Sequence, residues 1–292
     1  MNSTSKLILG TVQFGMKYGI ANLEGQPDLD KVRTILRRAA DYGIRILDTA
    51  AAYGTSETVI GTLLAEDPVL KNHFQVVSKI PPLPQDASPE EIRTFIMQSA
   101  DNSLRNLDLD QLYGLLFHRE EDAVHLPVVK ELQRQGKVQL GGFSVDGALP
   151  GNISGAEMIQ VPGNVLDRRF IPFPGAKPQK LFVRSVYLQG LLMMPEEAIP
   201  NALAGVIPYR RKLAALAGKY GMTPAELYMR YLLSFPEIDG VLTGVDNPNQ
   251  LAFNARLAAR GSLGEEQCRE IMQLVPELPE AWIRPKLWPK RK

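Results

Sequence analysis

The sequence predicts an α/β fold, a single (β/α)8 barrel that spans residues 1–292. Two patterns indicate this fold: short apolar runs alternate with longer segments of helical periodicity, and several of the runs are apolar at nearly every position. Near-continuous apolar runs are typical of parallel strands that are buried on both faces. A chain of 292 residues is long enough for one such barrel, and no linker or change in composition marks a second domain.

Eight apolar runs are predicted as strands, and most of them precede a helical pattern. The predicted strands cover residues 7–15, 44–50, 74–80, 112–118, 138–145, 158–161, 182–188 and 241–245. The predicted helices cover residues 28–42, 56–64, 88–106, 127–135, 208–220, 225–234, 248–259 and 263–274. Two helix starts have capping patterns, with Ser88 before Pro89 and a capping box that begins at Thr223.

The helical crossovers after strands five and six are predicted to be shortened. Residues 146–155 and 170–178 contain too much glycine and proline for a full helix. A barrel that lacks a helix on one flank would leave apolar wall exposed. We therefore predict a homodimer contact through residues 146–180. The alternative cover is the C-terminal tail, which carries Trp282, Ile283, Leu287 and Trp288.

Composition and charge exclude several classes of protein. The net charge of +1 gives no electrostatic footprint for nucleic acid or for an anionic membrane. No apolar run approaches the roughly 18 residues that span a bilayer, and the N-terminus lacks the apolar stretch of a signal peptide. The single cysteine, Cys268, allows no intrachain disulfide and is interpreted as a packing residue. We expect a cytoplasmic protein that acts on a small molecule, and no metal site is predicted.

Four residues with useful chemistry follow three successive predicted strands. Asp48 ends the second strand and Tyr53 comes five positions later; Lys79 ends the third strand and His118 the fourth. In a parallel barrel the carboxyl ends of all strands face the same mouth, where active sites of this fold lie. We therefore expect these four side chains to meet in one catalytic site.

Their combined chemistry suits the reduction of a carbonyl group. A tyrosine hydroxyl is a poor proton donor at neutral pH, but a nearby lysine favours the tyrosinate, and an ionised aspartate keeps that lysine protonated. Tyr53 is thus the predicted general acid, Lys79 and Asp48 are the pair that tunes it, and His118 orients the carbonyl oxygen. Each residue alone also has a structural interpretation, as a satisfied core histidine, a strand end, a turn cap or a loop tyrosine.

The same residues lie in stretches that resemble the aldo-keto reductase family over nearly the whole chain. The matching stretches are LGTVQFG (9–15), LDTAAAYG (47–54), VSK (77–79), FH (117–118), GFS (142–144), IQVP (159–162), LQGLL (188–192) and residues 244–254. The resemblance implies a TIM barrel and a catalytic tetrad of Asp48, Tyr53, Lys79 and His118. It also implies a nicotinamide cofactor bound without a Rossmann domain, and indeed no Gly-x-Gly-x-x-Gly loop opens the chain.

The resemblance assigns the cofactor to a larger set of residues around the mouth. These are Gly10, Thr11, Val12, Ser144, Gln160, Arg184, Leu188, Gly190, Gly244, Asp246, Asn247, Gln250 and Asn254. Two positions depart from the family pattern: Val145 replaces a frequent asparagine, and Arg184 stands where an aromatic ring usually stacks on the nicotinamide. A guanidinium can stack on a planar ring, but Arg184 has an equally good interpretation as a salt bridge that closes the barrel mouth.

The adenosine-side segment favours NADH over NADPH, or relaxed specificity. Family members that prefer NADPH usually place lysine or arginine here to pair with the 2′-phosphate. This chain offers Asp246, Asn247 and Gln250 instead, and an aspartate repels a phosphate but accepts hydrogen bonds from ribose hydroxyls.

The sequence supports an NAD(P)(H)-dependent oxidoreductase that interconverts an aldehyde or ketone and an alcohol. The chain has no long C-terminal loop, so the substrate wall is expected from Phe14, Tyr18, residues 16–24 and the connection after strand four. An open polar mouth suits a polyol, sugar or nucleotide-linked sugar. Two alternatives stay open: a cofactor-binding barrel without turnover, and an epimerase or dehydratase that uses tightly bound NAD.

Overall fold

The computed structural model describes residues 5–20, 22 and 25–289, and its eight parallel strands form a closed barrel in chain order. The strands are β1 (Leu7–Gly10), β2 (Ile46–Asp48), β3 (Gln75–Ile80), β4 (Leu112–Phe117), β5 (Val138–Ser144), β6 (Met158–Pro162), β7 (Lys180–Arg184) and β8 (Gly240–Gly244). The pairing of β1 with β8, in which Leu7 lies opposite Val241, closes the barrel. The predicted fold class is confirmed.

Helices flank most of the barrel wall. In the described part of the chain they are α1 (Val12–Gly15), α2 (Leu29–Asp41), α3 (Ser56–Glu66), α4 (Pro68–His73), α5 (Pro89–Leu107), α6 (Leu126–Arg134), α7 (Ile207–Lys219), α8 (Pro224–Leu233), α9 (Pro248–Ala258), α10 (Glu265–Leu274) and α11 (Glu280–Ile283). Helix α4 was not predicted from the sequence. Asp67 is the N-cap of this helix, because its side chain accepts hydrogen bonds from the amides of Val69 and Leu70. None of these helices is long and apolar enough to cross a membrane.

Two strands end four or more residues before their predicted ends. The first was predicted over residues 7–15 but ends at Gly10, and the seventh was predicted over 182–188 but ends at Arg184. Beyond these ends Phe14 and Leu188 are fully buried, so they are apolar because they pack into the core beneath the mouth. An apolar run in the sequence can therefore extend beyond the last residue that pairs in the strand.

Side-chain alternation divides each strand between an inner and an outer face. The barrel interior is filled by Ile8, Val77, Leu116, Leu140, Met158, Phe182 and Leu242. Because inward positions recur every two residues, the next inward layer lies at the mouth. That layer, called the rim here, consists of Gly10, Asp48, Lys79, His118, Ser144, Gln160, Arg184 and Gly244.

The predicted gap in the helical layer is present. Residues 145–157 and 163–179, all of which the structure describes, contain no helix. The C-terminal segment, residues 275–289, packs against this flank: Arg168 donates a hydrogen bond to the carbonyl of Val275, and Arg284 donates one to Oδ2 of Asp146 at 3.0 Å. This is the alternative cover considered above.

The dimer was predicted because apolar wall was expected to be exposed on this flank. No large hydrophobic side chain of residues 146–180 is exposed, so the loops and the C-terminal segment leave little apolar wall uncovered. Within that segment Ile283 is buried, whereas Leu287 is half exposed, contrary to expectation. The homodimer through residues 146–180 stays a prediction. Residues 290–292 of the tail lie outside the described residues.

Candidate active site

A buried ion pair forms the centre of the rim. The Nζ atom of Lys79 donates a hydrogen bond of 2.6 Å to Oδ1 of Asp48 and one of 2.9 Å to the carbonyl of Thr49. Lys79 and Asp48 are 1% and 3% exposed, so neither charge is stabilised by bulk water. The two residues come together because β2 and β3 are neighbours and both side chains point inward.

The Gln160 side chain completes this pair from the far side of the barrel. Its Nε2 atom donates a hydrogen bond of 2.7 Å to Oδ2 of Asp48. Both carboxylate oxygens of Asp48 are therefore held, one by an ammonium group and one by an amide. Gln160 is buried, and its Oε1 atom is left to accept a hydrogen bond from another group.

Tyr53 and His118 lie beside the ion pair. Nζ of Lys79 is 5.1 Å from the centroid of the Tyr53 ring, and the ring centroids of Tyr53 and His118 are 6.0 Å apart in an edge-to-face arrangement. Tyr53 lies in the turn between β2 and α3, where its carbonyl approaches Gly15 so closely that any Cβ there would collide with it. The structure thus brings together all four residues predicted for the tetrad.

The charge states of this cluster follow from its surroundings. Burial alone would lower the pKa of Lys79, but the charges and hydrogen bonds of Asp48 and Tyr53 raise it above its ordinary value. Lys79 therefore stays protonated. Burial, and to a lesser degree the cations Lys79, Arg184 and Lys286, lower the pKa of His118 to about 4. His118 is neutral at physiological pH.

A cavity of about 410 Å³ opens from the tetrad toward β1 and β8. The rim positions of these two adjacent strands are Gly10 and Gly244, which have no side chains to fill the space. Asp48, Tyr53 and Gln160 line its inner end. Most residues predicted for the cofactor line it as well: Gly10, Thr11, Val12, Gln160, Arg184, Gly190, Gly244, Asp246, Gln250 and Asn254.

Three predicted cofactor residues do not reach the cavity wall. Leu188 is fully buried in the core, and Ser144, although it belongs to the rim, is only 6% exposed and does not line the cavity. Asn247 caps α9 instead, because its side chain accepts hydrogen bonds from the amides of Asn249 and Gln250. Phe14, predicted for the substrate wall, is also buried in the core. Tyr18 does line the cavity, whereas Ala21, Leu23 and Glu24 of the same predicted wall lie outside the described residues.

Several lining residues were not found by sequence reasoning. Gln13 lies against Gly244, and in the described part of the chain its Oε1 atom is buried without a hydrogen-bond partner, as is Oγ1 of Thr243. Gln189 donates a hydrogen bond of 2.8 Å to the hydroxyl of Tyr18. Gln13 lies within the run predicted as the first strand, residues 7–15, and nothing in that run marks it as a cavity residue.

The segment after β7 has an unusual backbone along the cavity. Ser185, Leu188 and Gln189 have φ values of 71°, 48° and 53°, in the left-handed region that non-glycine residues rarely adopt. Tyr187, between them, donates a hydrogen bond of 3.0 Å to Oδ1 of Asn254. Strained backbone of this kind persists where surrounding contacts fix it, and it is common at ligand sites.

Arg184 forms a salt bridge at the mouth. Its Nη2 atom donates a hydrogen bond of 2.8 Å to the carbonyl of Val145 and lies 3.4 Å from Oδ1 of Asp146. Arg184 also lines the cavity. The side chain therefore makes a salt bridge at the barrel mouth, which was one of its two interpretations.

The Asp246 carboxylate is held by side chains around it. Asn22 donates a hydrogen bond of 2.9 Å to Oδ1 of Asp246, and Gln250 donates one of 3.3 Å to Oδ2. Gln250 also accepts a hydrogen bond from the Asp246 amide. This arrangement fixes a negative charge on the cavity wall near β8 and α9.

Comparisons with known proteins agree with the fold. The model of the aldo/keto reductase family matches residues 6–161, more than half of the chain. A 6-dehydroglucose reductase of Novosphingobium aromaticivorans is 31% identical over 125 residues, which span 38% of this chain and only 40% of that protein. An uncharacterized oxidoreductase of Mycobacterium tuberculosis is 25% identical over 294 residues, covering 88% of this chain and 85% of the relative.

Solved structures show the same architecture. The holo form of an aldo-keto reductase from Bacillus halodurans superposes with a TM-score of 0.75 at 20% identity, over 94% of this chain and 93% of that one. A glycerol dehydrogenase from Gluconobacter oxydans gives a TM-score of 0.72 at 20% identity, over 98% and 94% of the two chains.

Proposed function

We propose that this chain, which belongs to the aldo/keto reductase family of oxidoreductases, interconverts a carbonyl group and an alcohol on a small polar substrate with a nicotinamide cofactor. The observation that carries the proposal is the position of Tyr53, beside the buried Lys79–Asp48 pair and at the inner end of the cavity. The Tyr53 phenol can supply the proton that carbonyl reduction needs, and the ammonium group of Lys79 and the carboxylate of Asp48 support it.

In the proposed reaction Tyr53 donates its hydroxyl proton to the substrate oxygen as negative charge develops there. The Lys79 charge, 5.1 Å from the ring centroid, stabilises the phenolate that remains. Asp48 keeps Lys79 protonated and oriented through the 2.6 Å hydrogen bond. His118 is neutral, so it donates a hydrogen bond to the substrate oxygen without adding a further charge.

The cavity residues fit a nicotinamide dinucleotide. The unpaired acceptor on Gln13 can bind a ribose hydroxyl, and the remaining oxygen of Gln160 can accept a hydrogen bond from a carboxamide. Glycine at the rim positions of β1 and β8 gives the room that an extended ligand needs. When bound, the cofactor would supply or accept the hydride. The chain's own residues bind it, orient it and move the proton.

We propose NADH, or relaxed use of NADH and NADPH. Asp246 puts a negative charge on the cavity wall, where it would repel a 2′-phosphate and could accept from ribose hydroxyls. Gln250, on the same wall, is neutral.

A sugar or polyol is the proposed class of substrate. The mouth carries polar groups from Tyr18 and Gln189, which can form hydrogen bonds with the hydroxyls of such a substrate. Two of the similar proteins are named for such substrates, a 6-dehydroglucose reductase and a glycerol dehydrogenase. The alternative of a cofactor-binding barrel without turnover is less consistent with this tetrad, in which the Tyr53 ring lies 5.1 Å from Nζ of Lys79 and 6.0 Å from the His118 ring.

The test is Tyr53→Phe, measured with a panel of sugar aldehydes, ketoses and polyols and with both cofactors. We expect reduction to fall by about 10²–10⁴-fold, the usual contribution of a positioned acid. Cofactor affinity, followed by the quenching of protein fluorescence, should change little. Undiminished turnover in the variant would rule out Tyr53 as the acid. Nucleotide released from the denatured wild-type protein would instead favour an epimerase or dehydratase.

A further inference from the structure

We propose that Asp146 and Arg284 set the charge that Arg184 presents to the nicotinamide ring, and thereby the relative affinity for oxidised and reduced cofactor. In this view Asp146 and Arg284 are positioning residues that act through Arg184. The inference rests on the proposed function, because that function brings a nicotinamide to the cavity that Arg184 lines.

The path of the Arg184 side chain places its charge over the mouth. Arg184 is the last residue of β7, and its guanidinium bonds to the carbonyl of Val145, just after β5. β6 lies between these two strands, and neighbouring strands are about 4.8 Å apart. The side chain must therefore cross the carboxyl end of β6, the strand that carries Gln160.

Asp146 is shared between two arginines. Its Oδ1 atom is 3.4 Å from Nη2 of Arg184, and its Oδ2 atom accepts a 3.0 Å hydrogen bond from Nη2 of Arg284. Arg284 also pairs with Glu280 at 2.6 Å. Positive and negative side chains thus alternate along a row that begins at the cavity wall, passes through the loop after β5 and ends in the C-terminal segment.

These groups are screened less than ordinary surface ions. The side chains of Arg184, Asp146 and Arg284 are 27%, 22% and 17% exposed. Burial alone would raise the pKa of Asp146, but the two arginines lower it below its usual range. Asp146 is therefore ionised throughout the neutral range, and its charge is divided between a cavity residue and a C-terminal one.

The division matters because the two cofactor states differ by one charge on the ring. The oxidised nicotinamide is a cation and the reduced ring is neutral, so an arginine charge beside it disfavours only the oxidised state. The Asp146 carboxylate partly neutralises the Arg184 charge. Arg284 weakens this neutralisation because it pairs with the same carboxylate. At solvent-accessible sites one unit charge at a few ångströms changes an equilibrium by about five- to tenfold.

The arrangement predicts opposite effects for two substitutions. Asp146→Asn leaves the Arg184 charge without its counter-ion and should raise the Kd ratio of oxidised to reduced cofactor about five- to tenfold. Arg284→Met removes the second arginine from Asp146, so that the carboxylate pairs with Arg184 alone. It should lower the same ratio by about two- to fivefold. General damage to the site would weaken both cofactor states together and would not reverse sign between the variants.

The experiment measures the Kd of NAD⁺ and of NADH separately, by fluorescence titration at constant ionic strength, without substrate. Matched controls are Asp110→Asn and Arg38→Met, which change exposed residues at the opposite end of the barrel. Thermal unfolding confirms that each variant is folded. Asp146→Asn is repeated in an Arg184→Met background, where its effect should fall below twofold if Arg184 carries it.

The outcomes separate the inference from the proposed function. If the wild type binds neither cofactor state, the proposed function fails. If both states bind but the ratio moves by less than twofold in Asp146→Asn and Arg284→Met, or moves in the same direction in both, the inference is overturned while the proposed function stands. Opposite shifts that persist unchanged without Arg184 would also overturn it.

Discussion

Gln160 donates a 2.7 Å hydrogen bond to Oδ2 of Asp48 from the opposite side of the barrel. The two residues belong to β6 and β2, which are four strands apart in a closed barrel of eight. The bond links a residue predicted for cofactor binding with one predicted for proton transfer. A change at either position should therefore affect both stability and the site.

Gln160→Leu should lower the free energy of unfolding by about 1–3 kcal/mol, because it leaves a buried carboxylate oxygen without its donor. The loss should be measured by urea unfolding at neutral pH. Gln139→Leu, an exposed position on β5, is the matched control and should change stability by less than about 0.5 kcal/mol. Equal stability of the two variants would contradict this account of Gln160.

Lys79→Met should destabilise the protein by about 3–5 kcal/mol, since it leaves the Asp48 charge buried and uncompensated. The double variant Lys79→Met, Asp48→Asn removes both charges and should recover a large part of that loss while staying inactive. Urea unfolding of both variants gives the comparison. A double variant that loses as much as the sum of the two single variants would show that the pair is not coupled in this way.

His118 should make the protein less stable in acid. Its pKa is about 4 when folded and 6.5 when unfolded, so between these values the unfolded chain binds the proton more readily. The stability contributed by neutral His118 is complete above pH 6.5 and is lost as the pH falls toward 4, by about 3 kcal/mol. The difference in unfolding free energy between wild type and His118→Gln, followed from pH 7 to 4, isolates this contribution. A difference that does not change with pH would contradict it.

Asp246→Asn should improve the binding of NADPH by several-fold and leave NADH nearly unchanged, because it removes one negative charge from the wall of the cavity. An asparagine keeps an oxygen that can accept from Asn22. Fluorescence titration with both reduced cofactors measures the change. A strong preference of the wild type for NADPH would contradict the proposed cofactor before any variant is made.

Much of the fold could be predicted because its pattern is local. Each strand is an apolar run, and each long helix has its own periodicity and cap, as in Pro89–Leu107 with Ser88. Strand ends were less predictable, since Phe14 and Leu188 are apolar for a different reason from strand residues. The short helix Pro68–His73 was missed because it follows α3 with a single residue between them.

The tetrad could also be predicted, because strand order and a two-residue alternation place Asp48, Lys79 and His118 on one rim. The cofactor side could not be predicted as fully. Gln13 reaches the cavity from a one-turn helix, and the left-handed φ of Ser185 has no sequence signature. The contact of Arg284 with Asp146 joins residues 138 positions apart, and no local pattern specifies it.

The course of the C-terminal segment has a practical consequence for handling the protein. Lys286 lies near enough to His118 to lower its pKa, so this part of the C-terminal segment lies at the mouth of the barrel. Leu7 begins β1 at the opposite end, far from the cavity. A bulky label attached to the exposed side chain of Lys286 would crowd the entrance for substrate, whereas one attached to Lys6, just before β1, would leave that entrance clear.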